Sequence, residues 1–238
     1  MSGEITVWNK LLGTVMSMPG VKVNRDTFLK RELVAYCTPE QVEKALSSSP
    51  TTCIPIDVID KIANACINNH TTKVTAISAI SGLPGGLAMF GTIPADIAQY
   101  YYHVFVLSQK LAYLYGFPNL CDENGNLTEQ ASDMLTLFVG VMMGVSKANQ
   151  GIRIVAQALK KEVSRRLPRM ALTRTLIYPI VKQVAKWIGI KLTKQSFSKA
   201  VGKLIPVLGG IISGALTYSS FHPCAKKLQR RLKKEMCQ

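Results

Sequence analysis

Residues 94–115, PADIAQYYYHVFVLSQKLAYLY, decide the fold of this chain. Pro94 pre-sets the backbone for a first helical turn, and Gly116 with Pro118 stops the helix that follows. Between them, apolar residues fall around most of the helical circumference, the mark of a buried helix. This rod is therefore the expected centre of the molecule. Its polar residues Asp96, Gln99, His103 and Lys110 stand at i, i+3, i+7 and i+14 and share one stripe. That stripe is the sharpest candidate site in the sequence, a polar pocket or wet path between helices with His103 as its titrating member. The plainer reading has Asp96 complementing the helix N-terminus and the others satisfied by ordinary hydrogen bonds.

Working outward, residues 74–95, VTAISAISGLPGGLAMFGTIPA, carry no charge, and neither do residues 204–225, LIPVLGGIISGALTYSSFHPCA. Each is 22 residues long, enough for a helix of about 20 residues to cross a bilayer. Pro84, Gly85 and Gly86 break the first, and Pro206, Gly209 and Gly210 interrupt the second. A lipid-exposed spanning helix tolerates such breaks poorly, because freed backbone groups need partners. Two glycine/proline-broken apolar helical hairpins are expected, inserted in lipid or buried in protein. A tight turn at Pro84-Gly85-Gly86 also offers free N–H groups to an anion, but it lacks the Lys-Ser/Thr ending of a phosphate loop.

The remaining patterns are helical as well. Thr38-Pro39-Glu40-Gln41 reads as a capping box with proline in the first turn, opening a short helix that ends near residues 47–50. A longer helix is expected from Pro55 to residues 68–71, then one from Thr128 to about Ser146 after a turn at 121–126. Two basic amphipathic helices follow. In one, Ile152, Ala156, Leu159 and Val163 form the apolar stripe, with Arg153, Lys160, Lys161 and Arg165 off it. In the other, Ala225, Leu228, Leu232 and Met236 stand beside Lys226, Lys227, Arg230, Arg231, Lys233 and Lys234. Gly82/Gly86, Gly140/Gly144 and Gly210/Gly214 recur at helical spacing and favour close helix packing, with dimerisation a lesser use. His70 and His222 sit beside turn-forming residues and read as loop or cap histidines. Asp57 and Asp60 read as helix-start and surface carboxylates. No alternating run suggests a sheet. The expected fold is all-α, a compact multi-helix bundle in a single domain over 1–238, with 1–50 as an N-terminal helical extension.

Charge divides the chain. Residues 1–146 hold 9 Lys/Arg against 12 Asp/Glu, whereas residues 147–238 hold 20 against 2. An anionic partner for the second half is implied, whether anionic lipid or nucleic acid. Hydrophobic residues make up 47% and mean hydropathy is +0.16, so both a peripheral and an integral membrane protein fit. Cys37, Cys53, Cys66, Cys121, Cys224 and Cys237 show no zinc or disulfide-framework spacing. With no secretory leader pattern either, reduced thiols at the cytoplasmic face of a membrane are expected. No metal and no cofactor are expected.

The stretch over residues 80–117, ISGLPGGLAMFGTIPADIAQYYYHVFVLSQKLAYLYGF, resembles the EcsC family of bacterial proteins. Its matching features are a Gly-rich apolar turn, Ile93-Pro94-Ala95-Asp96, a long apolar helix, and the closing Tyr115-Gly116. Residues 203–215, KLIPVLGGIISGA, look like the family's second signature, and the likeness covers roughly residues 55–236. At the amide-bearing position that often follows in the family, this chain has Leu216, Thr217 and Tyr218. The resemblance implies an all-helical, membrane-associated protein and no established chemistry.

The leading expectation is a non-enzymatic, membrane-associated helical protein that binds anionic lipid through its basic half. It would serve a membrane transporter or another membrane protein, or perturb the membrane itself. Nucleic-acid binding by the same basic half is the second class, weakened by sparse aromatics and no DNA-binding motif. A hydrolase acting from the Asp96/His103 stripe is the third, with no GxSxG elbow or comparable signal behind it.

Overall fold

In a computed structural model of the chain, the central rod is α6 (Ala95–Leu114). The structure describes residues 3–81, 89–90, 93–121, 128–161, 176–202 and 209–237, and side chains there except over 77–96 and 194–217. Val104, Phe105, Leu107, Leu111 and Tyr113 of α6 are buried, pointing several ways around the helix. The helix stops as its sequence predicts. Gly116 lies at φ 91°, its N–H donating to Tyr113 O (3.2 Å) while Phe117 N–H donates to Ala112 O (2.9 Å). This pair of bonds is the Schellman stop, which favours glycine at its left-handed position.

The other helices wrap this rod. They are α1 (Gly3–Met16), α2 (Arg25–Leu33), α3 (Pro39–Ser47), the single turn α4 (Pro50–Cys53), α5 (Ile56–Ser81), α7 (Glu129–Met142), α8 (Ser146–Lys161), α9 (Tyr178–Gly202) and α10 (Gly209–Cys237). The fold class is all-α. Two-residue strands β1 (Met89–Phe90) and β2 (Ile93–Pro94) pair antiparallel just ahead of α6. α10 lies along α5, α1 along α9, and α5, α7, α10, α1 and α2 all touch α6. α8, α9 and α10 each pack on α7, with α8 touching both of the others.

Residues 1–50 are built into this core. Ile5, Trp8, Leu11, Leu12 and Val15 form the buried stripe of α1. Trp8 is fully buried, donates from Nε1 to Thr136 Oγ1 (3.0 Å), and meets Tyr101 and Phe105 edge-on. Arg25, 6% exposed, ties α2 to the end of α3 and to the turn after α6. Its guanidinium donates to the carbonyls of Ala45 (3.2 Å), Leu46 (3.1 Å), Ser48 (3.1 Å) and Phe117 (3.3 Å), and to the Asp26 carboxylate (2.9 Å).

Several local expectations meet their outcome here. Thr38 and Gln41 make both reciprocal bonds of the capping box at α3, and Thr128 caps α7. α5 runs through residues 68–71 to Ser81, longer than its Asn- and Thr-rich sequence predicts, and takes His70 with it. Gly140 and Gly144 do not share a helix face. Gly140 lies in α7, where an added Cβ would meet Val184 at 2.5 Å and Ala148 at 2.7 Å. Gly144, at φ 81°, is the Schellman stop after that helix. α10 is continuous from Gly209, so Gly209, Gly210 and Gly214 are helical rather than breaks. Pro84, Gly85, Gly86 and Pro206, the two turns proper, and the turn at 122–126 lie outside the described residues.

Candidate functional site

The stripe on α6 meets α5 in a continuous line of hydrogen bonds. Lys110 Nζ lies 3.1 Å from His70 Nε2, His70 Nδ1 lies 3.2 Å from His103 Nδ1, and His103 Nε2 lies 3.2 Å from the Gln99 amide. One charge orders the whole line. The Lys110 ammonium is donor only, so His70 Nε2 accepts and its proton sits on Nδ1. That proton points at His103 Nδ1, which leaves the His103 proton on Nε2. The Gln99 amide then turns its oxygen toward His103, a half-turn that swaps two near-identical groups. The resulting relay is Lys110 to His70 to His103 to Gln99, with both imidazoles neutral.

Electrostatics agree with that assignment. His70 and His103 are 4% and 5% exposed. Burial, then the charge on Lys110, pushes His70 down to about 3, and burial, then Lys73, pushes His103 down to about 4. Burial also lowers the Lys110 ammonium.

His70, His103 and Lys110 form one wall of a cleft of ≈400 Å³ between α2, α5, α6 and the α1–α2 loop. Lys22, Arg31 and Lys73 complete its cationic lining, and among the described residues no Asp or Glu lines it. α6 holds the loop in place through Gln109 and Tyr113. Gln109 Nε2 donates to Val21 O (2.8 Å), its Oε1 accepts from Val23 N–H (3.1 Å), and the Tyr113 hydroxyl donates to Val23 O (3.2 Å). Gly20, at φ 78°, approaches Tyr102 so closely that a Cβ would sit 2.9 Å from its hydroxyl. The rim of the cleft is thus fixed by the rod itself.

The structure joins Gln99, His103 and Lys110 as their spacing predicts, and adds His70. The loop-or-cap reading of His70 is corrected, since it sits mid-helix, buried against His103. Asp96 falls in the first turn of α6, with its side chain outside the described residues. Asp60 is no plain surface carboxylate. It accepts from the Tyr115 hydroxyl (2.6 Å) and pairs with Lys233 (2.5 Å). Among the described residues, no group of three or more His, Cys, Asp or Glu is placed to hold a metal ion.

The basic candidates divide by face. On α10, Lys226 bonds Asn64 and Gln229, Lys233 pairs with Asp60, and Arg231 donates to Asn149 O (2.7 Å) and pairs with Glu235 at 3.3 Å. These three fasten α10 to α5 and α8. Lys227, Arg230 and Lys234 are exposed, as are Arg153, Lys160 and Lys161 on α8. Arg165 lies outside the described residues.

No family model, no curated protein and no solved structure matches the chain. The cleft is a rigid, cationic recess with two neutral imidazoles, and the α8–α9–α10 layer is a broad cationic surface.

Proposed function

We propose that this chain is a non-enzymatic, membrane-associated helical protein of EcsC type that docks on anionic lipid through α8, α9 and α10. One observation carries the reading. Among the described residues of these helices, Lys147, Arg153, Lys160, Lys161, Lys182, Lys186, Lys191, Lys227, Arg230 and Lys234 are exposed, and no exposed acid interrupts them. Glu235 is folded back onto Arg231, its side chain only 12% exposed. Each Lys or Arg near an anionic leaflet contributes roughly 1 kcal/mol, so a few of these ten suffice for docking. Trp187 lies partly buried on α9 with Lys191 Nζ 5.3 Å from its ring centre, an amphipathic side chain suited to a membrane interface. A cleft of ≈700 Å³ also opens between α4 and the end of α10, with Arg230, Lys233 and Lys234 on its wall. Among the described residues, no helix is long and apolar enough to cross a membrane. The accompanying partner is a membrane transporter or another membrane protein.

Co-flotation of the purified protein with vesicles tests this reading. Retention on anionic but not neutral vesicles, and release by high salt, is the expected result. Failure to float with either vesicle overturns it. Binding of duplex DNA that anionic vesicles cannot displace would move the basic surface to nucleic acid.

A further inference from the structure

We propose that the cleft between α2, α5, α6 and the α1–α2 loop is a binding site for a phosphate-bearing anion. The site is independent of the α8–α9–α10 surface, because every cation in it belongs to the other half of the chain. That half holds 9 Lys/Arg against 12 Asp/Glu. Yet four of the nine, Lys22, Arg31, Lys73 and Lys110, converge on a single recess that no carboxylate lines among the described residues.

Two of the four cations, Arg31 and Lys110, are held in place by a ring. The Phe28 ring carries Arg31 on one side, 5.9 Å from its centre, and Lys110 at 5.7 Å, each held by attraction to the ring face. Lys110 is half-buried, and its hydrogen bond goes to a neutral imidazole. Glu32, the carboxylate that acts on Lys110 from α2, is bonded to Arg31 at 2.7 Å. A half-buried ammonium whose hydrogen-bond partner is neutral is costly, and a bound anion removes that cost.

Number and size narrow the ligand. Four cations exceed what one carboxylate can engage, and suit a multiply charged oxyanion. A volume of ≈400 Å³ lies within the range of small-molecule pockets. The phosphate of a free metabolite and that of a lipid headgroup present the same chemistry here.

Anion binding also carries a pH signature. The groups facing the histidines are Lys22 from the loop, Arg31 and Glu32 from α2, Cys66 and Lys73 from α5, and Lys110 from α6. An anion set among these cations offsets their effect and raises both imidazoles, so binding takes up protons and strengthens as pH falls. Sulfate has the shape of phosphate but does not titrate between about pH 5 and 8, where histidine does.

The test is calorimetric titration of the full chain with inorganic phosphate and with sulfate, alongside flotation with phosphatidate vesicles. Saturable sulfate binding that tightens up to about tenfold from pH 7.5 to 5.5 is expected. Lys73→Gln and Lys110→Gln should each weaken it about tenfold or more, the loss of one charge-assisted contact. Lys73 is exposed, so its variant probes the site even if Lys110→Gln fails to fold. Lys44→Gln on α3, exposed and away from both the cleft and the α8–α9–α10 surface, should change nothing. With sulfate and phosphate unbound, flotation with phosphatidate vesicles that Lys73→Gln weakens about tenfold, while flotation with phosphatidylserine vesicles stays unchanged, supports the site and assigns the anion to a lipid headgroup. No saturable binding in either arm, or binding indifferent to Lys73→Gln, overturns the proposal.

Discussion

His70 and His103 make this protein sensitive to mild acid. Both are held neutral, at about 3 and about 4 against an ordinary 6.5. Below pH 6.5 the unfolded chain therefore takes up protons that the native state refuses, and stability falls as pH drops from 6.5 toward 4. At pH 5 each histidine left neutral costs about 2 kcal/mol. The Asp133 carboxyl, raised to about 6 by burial and by Glu129, acts in the opposite direction through the same window and offsets part of the loss. Melting curves between pH 7.5 and 5 should show the fall, and His103→Gln should make it shallower. Equal slopes in the two proteins would remove the histidines from the account. Arg25→Ala strands four carbonyls and should cost about 3 kcal/mol in denaturant unfolding. Lysine recovers less than half of that, having no planar fork. The α6 side of the site was legible, because Gln99, His103 and Lys110 share a face by spacing alone. His70 was not, because its partner lies 33 residues on and its neighbours are poor helix formers. Burial of Val74 and Ile67, and the bond from Thr71 Oγ1 to Ile67 O (2.7 Å), hold that turn helical. Tertiary packing overrides propensity there.

Among the elements, α1 has a seat on α9 that depends on a missing side chain. A Cβ at Gly189 of α9 would run into the backbone of Glu4. Gly189→Ala should therefore lift α1, lower stability by about 1–3 kcal/mol, and shift Trp8 emission to the red. Gly13, on the same helix with nothing within 4 Å of an added Cβ, provides the contrast. Gly13→Ala should leave stability unchanged or raise it by about 0.5–1 kcal/mol. Element ends were the most legible part of the fold, because Thr38, Thr128, Gly116 and Pro118 act locally. What those elements pack against was hidden. Residues 1–50 read as an extension because nothing in their spacing names Thr136 or Phe117 as partners, yet Trp8 and Arg25 fasten them to both. Gly140 and Gly144 look alike at four residues apart, and only the helix boundary between them separates a packing position from a stop.

At the scale of the molecule, charge is sorted twice. Among the described residues, the second half carries ten cations outward on α8, α9 and α10, while Lys226, Arg231 and Lys233 turn toward partners on α5 and α8 and clamp α10. The division predicts unequal effects on membrane binding. Reversing Lys160, Lys161, Arg230 and Lys234 to Glu together should cost at least about 4 kcal/mol, or roughly a thousandfold in partition onto anionic vesicles. The clamping three should act instead through stability, and Lys233→Gln should lower the melting temperature more than it lowers docking. Sedimentation with vesicles beside a thermal melt separates the two. The chain holds two tryptophans, and the fold has put them in opposite situations. Trp8 is sealed in the core beneath α6, while Trp187 stands at the edge of the cationic layer with Lys191 over its ring. Contact with a leaflet would brighten and blue-shift Trp187 and leave Trp8 as it was, whereas loss of the native core would change Trp8 first. The molecule thus carries an optical gauge for docking and, on the same chain, the reference against which to read it.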